Sequence, residues 1–274
     1  MLYLNRNYMG VYLLVEHVKV APHRVNLVKN DSSFLFEKTR EADDDDIVFE
    51  SSLNCVFNIK YPKAPNQETI NLLKTHVNKF ENKLSNDSIT LSDWIDIDDF
   101  VRYYWIQEFS KNIDGAFGRS IFITWQFNEP FKMGPVWDFD VAYGIGNTRM
   151  MSPNDWYVRY QGWYQYLIKN KIFKGRVNQY WIDNRELFVD LADSIASASN
   201  LLKRASKNEF KRWPAPPTSG VSTSSRSATS AFFVVFGHNL CYNFSINLSS
   251  SQEGGALWIF WKSPTRGSPA AAMT

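Results

Sequence analysis

The hydrophobic pattern changes from strand spacing to helix spacing near residue 64, and this change limits the possible folds most. Before it, Leu2–Leu4, Val11–Val20, Ser33–Glu37 and Cys55–Tyr61 are runs rich in β-branched and aromatic residues, which predict strands. The first two are expected to pair as a hairpin. After residue 64, apolar residues recur at helical spacing. The sequence therefore predicts an α+β fold with a β-rich N-terminal part and a mainly helical lobe.

The first predicted helix has the clearest pattern. Asn66 follows Pro65 and is a suitable N-cap, because its side chain can accept a hydrogen bond from the first turn. The apolar positions then alternate in steps of three and four, at Ile70, Leu73, Val77, Phe80 and Leu84. A second helix is expected to begin after a cap at Asp96 and to end near Ser110.

Two further helices and a tail complete the predicted organisation. One helical stretch spans about residues 162–191, with a break near Gly175, and another spans residues 195–210. Three parts result: a partial β-rich nucleotide lobe over 1–64, a mainly helical catalytic lobe over 65–214, and a tail over 215–274. The tail is poor in charge and rich in Ser and Thr, which predicts irregular or disordered structure.

Composition excludes several classes of protein. Apolar residues make up 44% of the chain and aromatic residues 16%, which is typical of a globular protein. A formal net charge of +2 argues against a nucleic-acid-binding protein, which needs a clustered basic surface. Cys55 and Cys241 lie too far apart for a zinc motif or a disulfide framework. No secretory signal begins at Met1, and no apolar run is long enough for a membrane span.

Two aspartate-bearing segments are the main functional signal. Asn112–Gly115 contains Asp114, and Gly134–Asp140 contains Asp138 and Asp140, about two dozen residues further on. One two-stranded excursion fits between them and would return the second segment to face the first. In phosphoryl transfer, one carboxylate orients the attacking hydroxyl and another holds the metal that neutralises the phosphates. The two segments are therefore candidates for a phosphoryl-transfer site, although the spacing alone is weak evidence because aspartates before turns are common.

Each acidic element also has an ordinary structural interpretation. Asp114 can be a turn residue before Gly115, and Asp138 and Asp140 can end a strand. Two carboxylates at positions i and i+2 repel each other unless a cation or a donor lies between them, which favours a metal site. The acidic run at residues 41–46 can bind a cation, but a solvated loop is the simpler interpretation.

Five stretches of the chain, in this order, resemble the CotH kinase family of spore-coat and bacterial surface proteins. They are Leu4–Asn5 with Tyr8–Glu16, Ile59–Pro62, Trp105–Gly115, Met133–Gly144 and Asn208–Pro214. Together they cover about residues 2–214. The Met133–Gly144 stretch, with its sequence Gly-Pro-Val-Trp-Asp-Phe-Asp, is the most specific of them.

The resemblance implies a diverged protein-kinase-like fold and ATP-dependent phosphorylation of Ser residues in a coat or surface protein. It implies that Asp114 accepts or orients the proton of the substrate hydroxyl. Asp138 takes the metal-binding role, with Asp140 as a possible second ligand. The implied cofactors are ATP and Mg²⁺, with Ca²⁺ or Mn²⁺ as other hard cations that suit oxygen ligands.

Further positions are assigned only through the resemblance. Lys60 and Glu108 are the candidate cofactor-binding residues. Lys60, before Tyr61-Pro62, is a candidate phosphate ligand, and Glu108 is a candidate residue for orienting Asn112 or the catalytic loop. Typical kinases carry a metal-binding Asn five residues after the catalytic aspartate. Arg119 stands there in this chain, and Ser120, one residue later, can offer a hydroxyl to the metal instead.

The chain also lacks elements that the resemblance leads one to expect. No Gly-rich phosphate loop precedes the first hairpin, so an N-terminally truncated member is predicted. Two other functions therefore stay open. One is a catalytically inactive surface or coat protein that binds a partner through the same scaffold. The other is a calcium-stabilised acidic site without transfer chemistry.

Overall fold

A computed structural model describes residues 1–86, 89–142, 155–213 and 259–261. The strands are β1 (Leu2–Leu4), β2 (Asn7–Gly10), β3 (Leu13–Val15), β4 (Ser33–Thr39), β5 (Val48–Glu50), β6 (Val56–Tyr61), β7 (Ile121–Gln126), β8 (Lys132–Met133) and β9 (Ile259–Trp261). The α-helices are α1 (Gln67–Ser85), α2 (Ile97–Ser110), α3 (Tyr164–Leu167) and α4 (Lys171–Arg212). This mixture of helices with antiparallel sheets confirms the predicted α+β class.

The chain divides into two compact units, residues 1–17 with 189–274 and residues 18–188. The predicted lobe boundary at residue 64 is a different division, and it stays a prediction. Most of the predicted tail over 215–274 lies outside the described residues, apart from β9. Within the described part of the chain, no helix is both long and apolar enough to cross a bilayer.

The first unit contains a hairpin of β1 and β2. Its turn is formed by Asn5 and Arg6, whose φ angles of 49° and 66° suit the tight two-residue turn of a hairpin. The predicted partner strand, Val11–Val20, was therefore placed too late in the chain. Gly10 does adopt the positive φ expected of it, at 131°. Its missing side chain leaves room for Glu209, which accepts a hydrogen bond from Val11 N at 2.7 Å.

The second unit is built on a five-stranded antiparallel sheet in the order β5-β6-β4-β7-β8. Successive side chains of a strand point to opposite faces of the sheet, and here each face packs against a different hydrophobic cluster. Phe34 and Phe36 of β4 lie in the main core, whereas Leu35 between them joins a smaller cluster with Val18 and Phe122. The strand predictions for Ser33–Glu37 and Cys55–Tyr61 are thus confirmed to within two residues, whereas β5 was not predicted.

Helices α1 and α2 contribute their apolar stripes to the main core. Leu73, Val77 and Phe80 of α1 are completely buried, as the helical spacing predicted. Both predicted N-caps are present: Asn66 Oδ1 accepts from Thr69 N at 2.8 Å, and the Asp96 side chain caps α2 in the same way. These caps fix where each helix begins, and α2 in turn carries the site described below.

The two later helices differ from the prediction. The helix does not break at Gly175 or between residues 191 and 195, because α4 is continuous from Lys171 to Arg212. The interruption comes earlier, at Asn170, whose Oδ1 accepts hydrogen bonds from the backbone N–H groups of Ile172 and Phe173. Asn170 therefore caps the N-terminus of α4, and the helical stretch is interrupted there rather than at Gly175.

His76 of α1 lies inside an aromatic cluster of the second unit. Its ring stacks on Trp125, with centroids 4.0 Å apart, and on Trp94, at 5.0 Å. Its Nε2 atom is buried and has no hydrogen-bond partner among the described residues. Burial, with a smaller contribution from Lys79, lowers the pKa of His76 to about 4. The folded protein therefore holds this imidazole in its neutral form.

The buried imidazole makes stability depend on pH. Its pKa is about 4 in the folded state and 6.5 in the unfolded chain, so the unfolded state binds more protons in that interval. The free energy of unfolding is therefore expected to fall as the pH drops from 6.5 to 4. His76→Phe should remove this part of the slope, whereas His23→Phe, at an exposed position, should retain it. Urea unfolding at several pH values tests this, and equal slopes in wild type and His76→Phe would contradict it.

Candidate active site

The candidate site begins where α2 ends. Lys111 terminates the helix in the left-handed conformation, and its N–H bonds back to the carbonyls of Gln107 and Glu108. The chain then forms a compact turn, in which the carbonyl of Asp114 accepts from Gly118 N and Arg119 N, both at 2.9 Å. This turn buries Asp114, whose side chain is only 6% exposed, just before β7 begins.

The excursion predicted from the spacing of the aspartates is the hairpin of β7 and β8. Ile123 pairs with Met133, and Thr124 with Lys132. The segment after β8 thereby returns to the turn before β7. Asp114, Asp138 and Asp140 each place a carboxylate oxygen within 4.8 Å of the others. The predicted juxtaposition is confirmed, whereas the catalytic role of each carboxylate stays a prediction.

Three neighbours hold the carboxylates in place. Asn112 Nδ2 donates to the main-chain carbonyl of Asp138 at 3.1 Å, which ties the second acidic segment to the first. Ser120 Oγ donates to Asp138 Oδ2 at 3.0 Å. Arg119 donates from Nε to Asp114 Oδ2 at 2.9 Å, and its Nη2 forms an ion pair with the same oxygen at 2.9 Å. Ser120 is therefore beside the predicted metal ligand Asp138, and its own role as a ligand stays a prediction.

The electrostatics of the cluster favour a cation between the carboxylates. Burial, together with the negative charges of Asp138 and Asp114, raises the pKa of Asp140 to about 6. One oxygen of Asp140 is also buried without a hydrogen-bond partner among the described residues. A buried oxygen without a donor is costly in a protein interior. The carboxylate oxygens of the three aspartates are hard ligands, and a cluster of them suits a divalent cation such as Mg²⁺.

The backbone of the site is held in an uncommon conformation. Phe117, Ser120 and Asp138 have φ angles of 62°, 58° and 62°, in the left-handed region that side chains other than glycine rarely adopt. Such conformations persist only where the surrounding contacts enforce them, and they concentrate at functional sites. Here the Asn112 and Ser120 hydrogen bonds to Asp138 supply part of that enforcement.

Strand β4 of the sheet also holds the turn that carries Asp114. Lys38, on β4, donates from Nζ to the carbonyl of Gly118 at 2.6 Å and to that of Thr39 at 3.2 Å. A side chain at Gly118 would collide with Arg40 and with the carbonyl of Asp114. The sequence offered no signal for Lys38, because its role depends on pairing between strands that are far apart in the chain.

Glu108 was expected to orient Asn112 or the catalytic loop, and among the described residues it forms no hydrogen bond with Asn112. Its two carboxylate oxygens accept from Tyr157 N and Val158 N at 2.8 Å, and Lys111 donates to it at 2.9 Å. It therefore anchors the segment that begins after the undescribed residues 143–154. Its predicted contribution to nucleotide binding is not tested by these contacts and stays a prediction.

Lys60 lies on β6 and pairs with two carboxylates. Its Nζ is 3.2 Å from Glu37 and 3.5 Å from Asp46. Burial raises the pKa of Glu37, and the negative charge of Asp138 adds to this rise, so this pair is within electrostatic reach of the carboxylate cluster. Most of the acidic run 41–46 is exposed, as expected of a solvated loop. The assignment of Lys60 as a phosphate ligand stays a prediction.

Comparison with known proteins adds one finding. A family model described as CotH kinase protein matches residues 1–231, which is most of the chain. This chain belongs to the CotH kinase family. No curated protein and no solved structure matches it. The family membership confirms the resemblance inferred from the five sequence stretches, and it places the carboxylate cluster in a family of kinases, which are phosphoryl transferases.

Proposed function

We propose that this CotH kinase family member is a protein kinase that transfers the γ-phosphoryl group of ATP to Ser residues of a coat or surface protein. We further propose that its fold is a diverged form of the protein-kinase fold. The main support is the convergence of Asp114, Asp138 and Asp140 within 4.8 Å across the β7–β8 hairpin. Phosphoryl transfer needs a positioned acceptor hydroxyl and neutralised phosphates, and separate carboxylates can serve these two needs.

In the proposed reaction, Asp114 accepts a hydrogen bond from the Ser hydroxyl of the substrate. The Ser oxygen forms a bond to the γ-phosphorus as the bond from that phosphorus to the β,γ-bridging oxygen breaks. The electron pair of the broken bond stays on the bridging oxygen, which leaves as part of ADP, and the hydroxyl proton moves to Asp114. The products are phosphoserine and ADP. Asp114 is well placed for this role because its burial and the Arg119 ion pair fix the orientation of its carboxylate.

Asp138 and Asp140 are the residues proposed to hold Mg²⁺, with Ser120 beside them as a possible further oxygen donor. The unpartnered buried oxygen of Asp140 and the hard donor set fit such an ion. When bound, the cation neutralises phosphate charge and orients the γ-phosphoryl group. The chain itself holds Asp138 beside Asp114 through the hydrogen bonds that Asn112 and Ser120 donate to Asp138.

Thermal unfolding with Mg²⁺ alone and with Mg²⁺ plus ATP tests the proposal. A ligand at a hundred times its dissociation constant stabilises a protein by about 2.7 kcal/mol. For a domain of this size, that corresponds to a rise in Tm of roughly 5–10 °C. The rise should require both components and should disappear in Asp138→Ala. Asp183→Ala, at an exposed position on α4, is the matched control and should retain it.

The other outcomes separate the remaining functions. A folded protein whose Tm does not respond to Mg²⁺ and ATP would overturn the kinase proposal and favour an inactive binding scaffold. A rise with Ca²⁺ to which nucleotide adds nothing would favour a calcium-stabilised acidic site. A rise that Asp138→Ala retains would place nucleotide binding away from this cluster.

A further inference from the structure

We propose that Arg119 binds the γ-phosphoryl group during transfer, through N–H groups that its ion pair with Asp114 leaves free. This inference rests on the proposed function and assigns a residue to it. The guanidinium donates one hydrogen bond, from Nε to Asp114 Oδ2 at 2.9 Å, and its Nη2 lies 2.9 Å from the same oxygen in an ion pair. Arginine has five N–H donors in a rigid planar fork. Within the described residues no further hydrogen bond of this guanidinium is found, so it can contact Asp114 and a phosphate oxygen together.

The negative charge of the site calls for a further positive charge beside the phosphates. Three carboxylates lie within 4.8 Å of one another, and the phosphates of ATP add further negative charge. One divalent cation does not balance this sum. In protein kinases a second metal ion, held by an Asn five residues after the catalytic aspartate, supplies the missing positive charge. Arg119 occupies that position in this chain, and a guanidinium keeps its charge at any physiological pH.

Three lysines near the site are already engaged by other groups. Lys38 donates to the carbonyls of Gly118 and Thr39, and Lys60 pairs with Glu37 and Asp46. Lys111 pairs with Glu108, and its side chain is only 12% exposed.

The Arg119 side chain is 45% exposed although it contacts the buried Asp114. Among the described residues it is the cation that forms an ion pair with the carboxylate cluster. It therefore combines access to solvent, from which a nucleotide arrives, with direct contact to the proposed catalytic carboxylate.

Arg119 takes no part in making or breaking covalent bonds. It donates hydrogen bonds to the phosphoryl oxygens and offsets their negative charge. Arginines that stabilise the transferred phosphoryl group are worth about 10³–10⁵ in kcat in other phosphoryl-transfer enzymes. A contact to the γ-phosphoryl group also predicts a difference in binding. ATP carries this group and ADP does not, so Arg119 should favour a triphosphate over a diphosphate before any chemistry occurs.

The test is the affinity of the protein for ADP and for AMP-PNP, a non-hydrolysable ATP analogue, measured by calorimetry in excess Mg²⁺. Wild type should prefer AMP-PNP, and Arg119→Gln should reduce that preference at least tenfold while binding ADP as wild type does. Arg119→Lys should retain part of the preference because it keeps the charge and loses the fork. Arg176→Gln is the matched control, since Arg176 is 48% exposed and pairs with Asp98 on a distant helix surface.

The outcomes distinguish this inference from the proposed function. If wild type binds neither nucleotide, the proposed function fails. If wild type binds both but Arg119→Gln keeps the wild-type preference, or wild type has none, the Arg119 assignment alone is overturned. A residue that merely oriented Asp114 would lower turnover when replaced and leave the preference unchanged.

Discussion

Replacing Asp114 by asparagine is expected to lower the rate of phosphoryl transfer from ATP by about a thousandfold. The amide has the size of the carboxylate but cannot accept the proton of the attacking hydroxyl. The fold should survive, because the turn depends on the main-chain carbonyl of Asp114, which accepts from Gly118 N and Arg119 N. The measurement is transfer of labelled γ-phosphate from ATP to water, to the chain itself and to dephosphorylated casein.

A matched control separates loss of chemistry from loss of an ion pair. Asp98 pairs with Arg176 as Asp114 pairs with Arg119, but its carboxylate is 56% exposed on the surface of α2. Asp98→Asn should therefore leave the rate and the Tm close to those of wild type. Equal rates for wild type and Asp114→Asn would contradict the role assigned to Asp114. A loss of rate accompanied by a large fall in Tm would indicate a structural role instead.

The parts of the fold that were predictable from sequence depend on local signals. The stripe and the cap of α1 lie within one stretch of chain, so Asn66 and the apolar positions after it identify the helix without tertiary information. The β7–β8 hairpin was predictable for a similar reason, since the number of residues between Asp114 and Asp138 is enough for two short strands and a turn. The juxtaposition of the two aspartates follows directly from that local geometry.

Elements stabilised by distant contacts could not be predicted in the same way. Strand β5 has three residues and is specified by its pairing with β6 rather than by its own pattern. Gly175 disfavours a helix locally, yet α4 continues through it because Phe173 and Val177 on either side are buried in the core. The connection of the first hairpin was predicted to span residues 5–10 and is only the two-residue Asn5-Arg6 turn, which carries little local signal because Arg seldom adopts a positive φ.

The candidate site shows the same division. The acidic residues were identified because the motifs that contain them are contiguous in sequence. Arg119 was identified as a departure from the kinase pattern, but its contact with Asp114 required the folded turn. Lys38 and Asn112 support the site through contacts with Gly118 and Asp138 that no sequence spacing indicates. Lys38 comes from another strand, and Asn112 contacts the other acidic segment, so only the assembled fold reveals either contact.

Glu81 shows how a buried charge can be structural and still be visible in the sequence. It lies three residues before Leu84 and four after Val77, on the apolar face of α1, where a carboxylate is not expected. Its side chain is completely buried. It accepts hydrogen bonds from four donors: Ser51 Oγ at 2.9 Å, Ser52 Oγ at 3.0 Å, Leu53 N at 2.8 Å and Trp163 Nε1 at 2.8 Å.

The Glu81 carboxylate thereby joins three parts of the second unit: helix α1, the turn between β5 and β6, and Trp163. Trp163 is also buried and packs against Phe80, Phe117 and Phe131. Phe117 lies in the turn that carries Asp114 and Arg119. Glu81 therefore stabilises the packing beneath the candidate site without being near the reacting groups.

Replacing Glu81 by methionine is expected to reduce the free energy of unfolding by at least about 3 kcal/mol, because four donors lose their acceptor and two of them are main-chain and indole N–H groups. Glu81→Gln should lose less, since the amide keeps one acceptor oxygen while its NH₂ group faces other donors. Glu129→Met is the control. Its carboxylate is 48% exposed and lies 3.9 Å from Lys132, so the change should stay within about 0.5 kcal/mol.

Urea unfolding followed by tryptophan fluorescence measures all three Glu81 and Glu129 variants in one assay. The expected order of stability is wild type and Glu129→Met together, then Glu81→Gln, then Glu81→Met. A Glu81→Met protein as stable as wild type would show that the buried carboxylate costs as much to desolvate as its four hydrogen bonds return, as happens for some buried ion pairs. Because Glu81 contacts no reacting group, nucleotide affinity measured well below the unfolding transition should change far less than stability.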